Sequence, residues 1–164
     1  MSEQNTATEV DPLSQAAGGI NTDFPLLMPD RIYRLEIKSG TKEVDNEAID
    51  KKSKTKYSRE QLLFKLATTQ DAMSRDGKPL RAGFTLRKYL LVTPTGDYTL
   101  DSVARSIAIL LKACGKANVT PRELINNPSM LDKQVVDAKV GISVDKTGTY
   151  PDSNSITFVI PADA

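Results

Sequence analysis

The chain has 164 residues, a formal net charge of +1, no His, no Trp and a single cysteine, Cys114. This excludes a disulfide framework, a zinc centre of the usual Cys/His spacing and any His-based catalytic triad. The length suits one domain with a real core. No apolar run approaches the ~18 residues of a membrane span and no signal peptide opens the chain, so a soluble, cytoplasmic protein is expected.

Residues 1–23 are small, polar and acidic, and cannot bury enough apolar area to offset their ordering entropy; they read as a disordered acidic N-terminal arm. Phe24 to Pro29 is apolar but broken by two prolines, and should pack in extended form before the first strand. Arg31–Lys38 alternates, with Tyr33, Leu35 and Ile37 inward, as a half-buried strand does. Thr41–Lys56 is rich in charge and poor in core formers, and reads as a long functional or disordered loop. Leu62–Thr69 puts Leu62, Phe64 and Leu66 on one face. Ala72–Ala82 holds a tight turn at Asp76-Gly77.

Phe84–Val92 is a third strand whose alternation slips: Phe84 and Leu86 share one parity, Tyr89 and Leu91 the other. One extra residue near Arg87-Lys88 restores the pattern, so a β-bulge is expected there, with Tyr89 in the core alongside Leu91. Leu100–Cys114 is apolar at helical spacing, capped by Thr99 or Asp101 and stopped by Gly115. Thr120-Pro121-Arg122-Glu123 spells a capping box for a short helix that Asn127-Pro128 ends. Val136, Ala138, Val140, Ile142 and Val144 alternate inward in a fourth strand, and Ile156, Phe158 and Ile160 close a fifth. The fold expected is mainly β, a five-stranded OB-type barrel of order β-β-β-α-α-β-β with a helical insert at about 99–127. Residues 24–164 would form its single domain. Such barrels commonly bind oligonucleotides across strands two and three and two loops.

Nothing in the chain reads as catalysis: the acids are dispersed, there is no P-loop, and Gly40, Gly77 and Gly148 sit singly in turns. No catalytic residue, metal or cofactor is expected. Cys114, on an apolar helix stripe, reads as a small core residue against the alternative of a reactive thiol. Charge is segregated instead. Residues 1–30 hold five acids and no Lys or Arg, whereas residues 31–90 hold fifteen bases against eight acids, a net of +7.

A cationic groove with aromatic faces binds single-stranded nucleic acid without sequence preference. Arg34, Lys38, Lys65, Arg87 and Lys88 lie in the first three strands at positions that can face solvent. Lys51, Lys52, Lys54 and Lys56 end the first loop, Arg75, Lys78 and Arg81 occupy the hairpin, and Lys146 the last loop. Tyr57 and Tyr150 are the stacking residues expected, with packing over the barrel's end as the alternative; solvated loop lysines are the bland reading of the charge.

Three motifs carry a resemblance: Leu131-Asp132-Lys133-Gln134-Val135, Ala138-Lys139-Val140-Gly141-Ile142 and Tyr150-Pro151-Asp152-Ser153-Asn154-Ser155-Ile156. With Thr99-Leu100 and Ala113-Cys114-Gly115, they make residues 60–161 resemble small phage-encoded single-stranded DNA-binding proteins with an OB fold. The resemblance implies non-catalytic, sequence-tolerant binding of single-stranded DNA in replication or recombination, in the host cytoplasm if the protein is phage-encoded. Replication or recombination proteins would be its protein partners, and no membrane would be involved. The chain departs from that group in ending Ile160-Pro161-Ala162-Asp163-Ala164, with its acidic stretch at the N-terminus instead. RNA binding and a protein-interaction module remain the alternatives. Monomer and dimer are both open, with Arg31–Ile37 or Ile156–Ile160 as the edge strand that would pair.

Overall fold

The computed structural model describes residues 25–50, 53–95, 98–149 and 151–162. Lys51, Lys52, Tyr150 and the acidic arm lie outside the described residues.

The chain is mainly β, built on a five-stranded antiparallel sheet. In chain order the strands are β1 (Arg31–Ile49), β2 (Lys56–Thr68), β3 (Ala72–Met73), β4 (Pro79–Leu80), β5 (Thr85–Leu91), β6 (Val135–Ser143) and β7 (Ser153–Phe158). Between β5 and β6 come α1 (Leu100–Ala113), α2 (Pro121–Asn126) and a 3-10 turn, Pro128–Leu131. The sheet order is β5-β2-β1-β6-β7, and β3 and β4 form a separate two-stranded hairpin. The element order therefore departs from the one expected, by that added hairpin and the extra helical turn.

Period-2 patterning fixes the inner face. Leu35 and Ile37 of β1 sit opposite Thr68 and Leu66 of β2, while Leu62, Phe64 and Leu66 sit opposite Leu90, Lys88 and Leu86 of β5. The aliphatic members and Phe64 are buried together with Val136, Ala138 and Val140 of β6 and Ile156 and Phe158 of β7. Helix α1 adds Val103, Ile107, Leu110 and Leu111 to the same core, and α2 adds Leu124 and Ile125. Burying a side chain the size of Phe64 contributes about 1.5–3 kcal/mol. At the β6 and β7 ends the expected alternation gives out: Val144 is 63% and Ile160 41% exposed.

Local chemistry sets the element ends. Thr99 caps α1 by accepting from the Ser102 N–H, and Gly115, at φ 71°, follows its last turn. Thr120 and Glu123 close the capping box of α2. Gly40 lies within β1 rather than in a turn, and a Cβ there would run into the Pro128 carbonyl and the Phe64 ring.

Three expectations fail. The stretch from Thr41 to Lys56 is largely strand: β1 and β2 continue as a long two-stranded ribbon, paired out to Ile49 and Lys56, and only its tip is a turn. Its charges pair across the ribbon, as Lys42–Glu60, Lys56–Glu47 and Arg59–Asp45, which lets a polar sequence hold strand geometry. The β-bulge is not in β5, whose register with β2 runs unbroken from Leu91 to Thr85. Register shifts fall in β1 instead, at Ile37/Ser39 and Asp45/Ala48. Finally, Arg31–Ile37 is no edge, because β2 and β6 flank β1 there.

The sheet coils but does not close by a ladder among the described residues. Its edge strands, β5 and β7, run parallel, as follows from four successive antiparallel pairings. Lys88 Nζ of β5 donates to the Ile156 carbonyl of β7 at 2.9 Å. A groove of about 860 Å³ lies along this seam between Phe84–Tyr89 and Pro151–Ile156. The segment Pro25–Asp30 packs at its base: Leu27 is fully buried, its N–H donates to Asn154 Oδ1 at 2.8 Å, and Tyr33 Oη donates to the Met28 carbonyl at 2.7 Å.

Candidate nucleic-acid interface

Residues opposite one another in an antiparallel ladder share a face, which builds the outer surface of β1, β2 and β5 row by row. One row is Ser39, Lys65 and Arg87; the next is Thr41, Leu63 and Tyr89; the third is Glu43, Gln61 and Leu91. Because β2 carries no bulge, Tyr57 and Arg59 continue the parity of Lys65 along the same face.

Lys65 and Arg87 are therefore direct cross-strand neighbours, both exposed, and neither has a carboxylate within ion-pair distance among the described residues. Like charges set opposite each other across a ladder are unfavourable. Their pairing concentrates positive potential on the β2–β5 side of the sheet. Beside them Tyr89 is 46% exposed and packs beside Leu63, offering a ring face to solvent one row away.

The other expected residues scatter. Arg34 is exposed but paired with Asp137 at 3.1 Å on the β1–β6 side, and that carboxylate raises its already high pKa further through a hydrogen bond. Lys38 sits at the β1 register shift and pairs with Glu36 at 3.1 Å. Lys54, at φ 60°, and Lys56 occupy the ribbon tip, where Lys56 pairs with Glu47 at 2.8 Å. Arg75 holds Asp152 at 2.9 Å across to the β7 side. Lys78 and Arg81 are exposed on and beside the β3–β4 hairpin, and Lys146 is exposed in the β6–β7 turn. Lys52 and Tyr150 lie outside the described residues. Of the fifteen residues expected at a binding surface, Lys65 and Arg87 share the β2–β5 face, and half-buried Tyr57 continues it along β2.

Two residues change place. Lys88 does not face solvent on that surface: it points inward opposite Phe64, and desolvation lowers its pKa. Tyr89 is on the outer face instead of in the core. The signal for both was the pair Leu86 and Leu90, which share parity with Lys88; a bulge that brings Tyr89 and Leu91 into line with Phe84 and Leu86 reverses the face. Cys114 is half-buried and burial pushes its thiol up to about 11, which favours the neutral thiol over the nucleophilic thiolate near pH 7.

Among the described residues no group of three or more Cys, Asp or Glu could hold a metal ion, and no helix is long and apolar enough to cross a membrane. No protein-family model matches the chain, and searches of curated proteins and of solved structures find no significant similarity.

Proposed function

We propose that this protein binds single-stranded DNA without catalysis and largely without regard to sequence, in replication or recombination of a phage or related mobile element. The observation that supports it is the outer face of β2 and β5, where Lys65 and Arg87 sit opposite each other beside exposed Tyr89. A polyanion relieves the repulsion between the two cations. A nucleobase has the flat apolar surface that a tyrosine ring stacks on. Affinity would arise mainly from counterion release and fall steeply with salt, and stacking would make it tolerant of sequence. The phage assignment leans on the resemblance of residues 60–161.

A protein-interaction module is the second reading, favoured by the ribbon. Beyond Gly40 the outer edge of β1 pairs with no described strand, and Val44 and Ile49 are 52% and 57% exposed on it. Fluorescence-anisotropy titration of labelled dT oligonucleotides at 50 and 200 mM salt separates the two. Salt-sensitive binding supports the DNA reading; no binding at the lower salt removes it. The same titration with rU oligonucleotides decides between DNA and RNA.

A further inference from the structure

The seam between β5 and β7 is a feature that the outer face does not use. Lys88 enters it from the inner side of β5, between Arg87 and Tyr89, which point out onto the face described above. A protonated lysine has three N–H donors, and the hydrogen bond to the Ile156 carbonyl occupies one. No carboxylate lies within ion-pair distance of it among the described residues. A half-buried ammonium without a counter-charge is costly, and its desolvation already lowers its pKa. The groove around it has apolar walls at Pro25, Phe84 and Pro151, polar groups at Ser153, Asn154 and Ser155, and the carboxylate of Asp152, which Arg75 holds at 2.9 Å. At about 860 Å³ it exceeds what one side chain would fill.

We propose that this seam is a second binding slot, taking one nucleotide of the same single strand, with an oxygen acceptor of that nucleotide on Lys88 Nζ. The inference rests on the proposed binding of single-stranded DNA. Two features of the structure favour a nucleotide here. The slot is continuous with the outer face, because β5 is the edge strand that bounds both. Its charge also fits: among the described residues two donors of the Lys88 cation have no partner, and they meet the oxygen-rich backbone or base carbonyls of a strand crossing β5. A strand held by Lys65, Arg87 and Tyr89 that continues over the edge of β5 arrives at this opening. Beside Lys88, an inward-pointing cation, β5 and β7 share no ladder among the described residues, and the groove there opens to the outside.

The test uses the full chain, dT oligonucleotides and the variants Lys88→Met and Lys88→Arg. Lys88→Met is expected to bind at least about tenfold more weakly, the worth of a hydrogen bond to a charged group, and Lys88→Arg close to wild type. A salt slope smaller by about 0.7 places a phosphate on Nζ; weaker binding at unchanged slope places a base carbonyl there. Oligonucleotides carrying 4-thiothymidine should crosslink to the Pro151–Ile156 peptide of the wild-type chain, which a purely structural role for Lys88 would not produce. If the wild-type chain binds and depends on Lys65 and Arg87, yet Lys88→Met binds as tightly and Pro151–Ile156 gains no crosslink, the slot is wrong and the outer face stands. If the wild-type chain does not bind dT at all, both fall together.

Discussion

Replacing Lys65 and Arg87 together by glutamine removes two cations that share one row of the β2–β5 ladder and leaves the core beneath them intact. Each phosphate contact on a single strand contributes about 0.7 to the slope of log affinity against log salt, so the double variant should lose about 1.4. Over a fourfold rise from 50 to 200 mM salt, that slope corresponds to about a sevenfold fall in affinity which wild type shows and the variant does not. The control is Lys112→Gln with Lys116→Gln, the same change of net charge at the end of α1, away from this face. It should leave the slope unchanged. Anisotropy titrations at four salt concentrations read both slopes, and circular dichroism checks that α1 survives the loss of a cation at its C-terminus. Equal slope losses for the two pairs would refute the assigned face, because charge alone, without position, would then account for binding.

Further outcomes follow from single residues. Tyr89→Ala should weaken oligonucleotide binding by about 1–3 kcal/mol at unchanged salt slope, whereas Tyr89→Phe keeps the ring and the affinity; isothermal titration at fixed salt decides. Gly40→Ala forces a methyl group against the Pro128 carbonyl and the Phe64 ring, and should cost about 1–3 kcal/mol in urea unfolding. Asn154→Ala removes the bonds from Asn154 to Leu27 and to the Gly141 carbonyl, and should raise hydrogen exchange at the Leu27 N–H before that of β6. Lys88 has its pKa lowered in the fold, so between that value and the ordinary 10.5 the unfolded chain binds more protons and stability rises with pH. The difference in urea midpoint between wild type and Lys88→Met should therefore shift in favour of wild type from pH 8 to pH 10. A constant difference would show that Lys88 is solvated in the fold.

Most of the secondary structure was legible because its signals are local. The inward sets Tyr33/Leu35/Ile37 and Leu62/Phe64/Leu66, the Thr99 cap, the Thr120–Glu123 capping box and the Gly115 stop each depend on residues a few positions apart. The ribbon was not legible, since its strands are held by cross-strand pairs such as Arg59–Asp45 and Lys56–Glu47, which look like loop composition until the register is known. The face of β5 was decided by its partner: opposite Leu66 and Leu62, Leu86 and Leu90 bury themselves, and Lys88, opposite Phe64, goes in with them because a strand cannot turn one residue alone.

By itself, then, the sequence determined the core-facing strands and the two helices, though not the ribbon or the β3–β4 hairpin, and that a cation-rich stretch spans residues 31–90. Only the tertiary structure decided which of those cations meet. Arg34, Lys38 and Arg75 find carboxylates in partners distant in sequence or set by local geometry, while Lys65 and Arg87 are left facing each other. It also left the β5–β7 seam unladdered, with a lysine inside it. Periodicity reports the side of a strand a residue is on, but register reports what stands opposite, and charge acts through the latter.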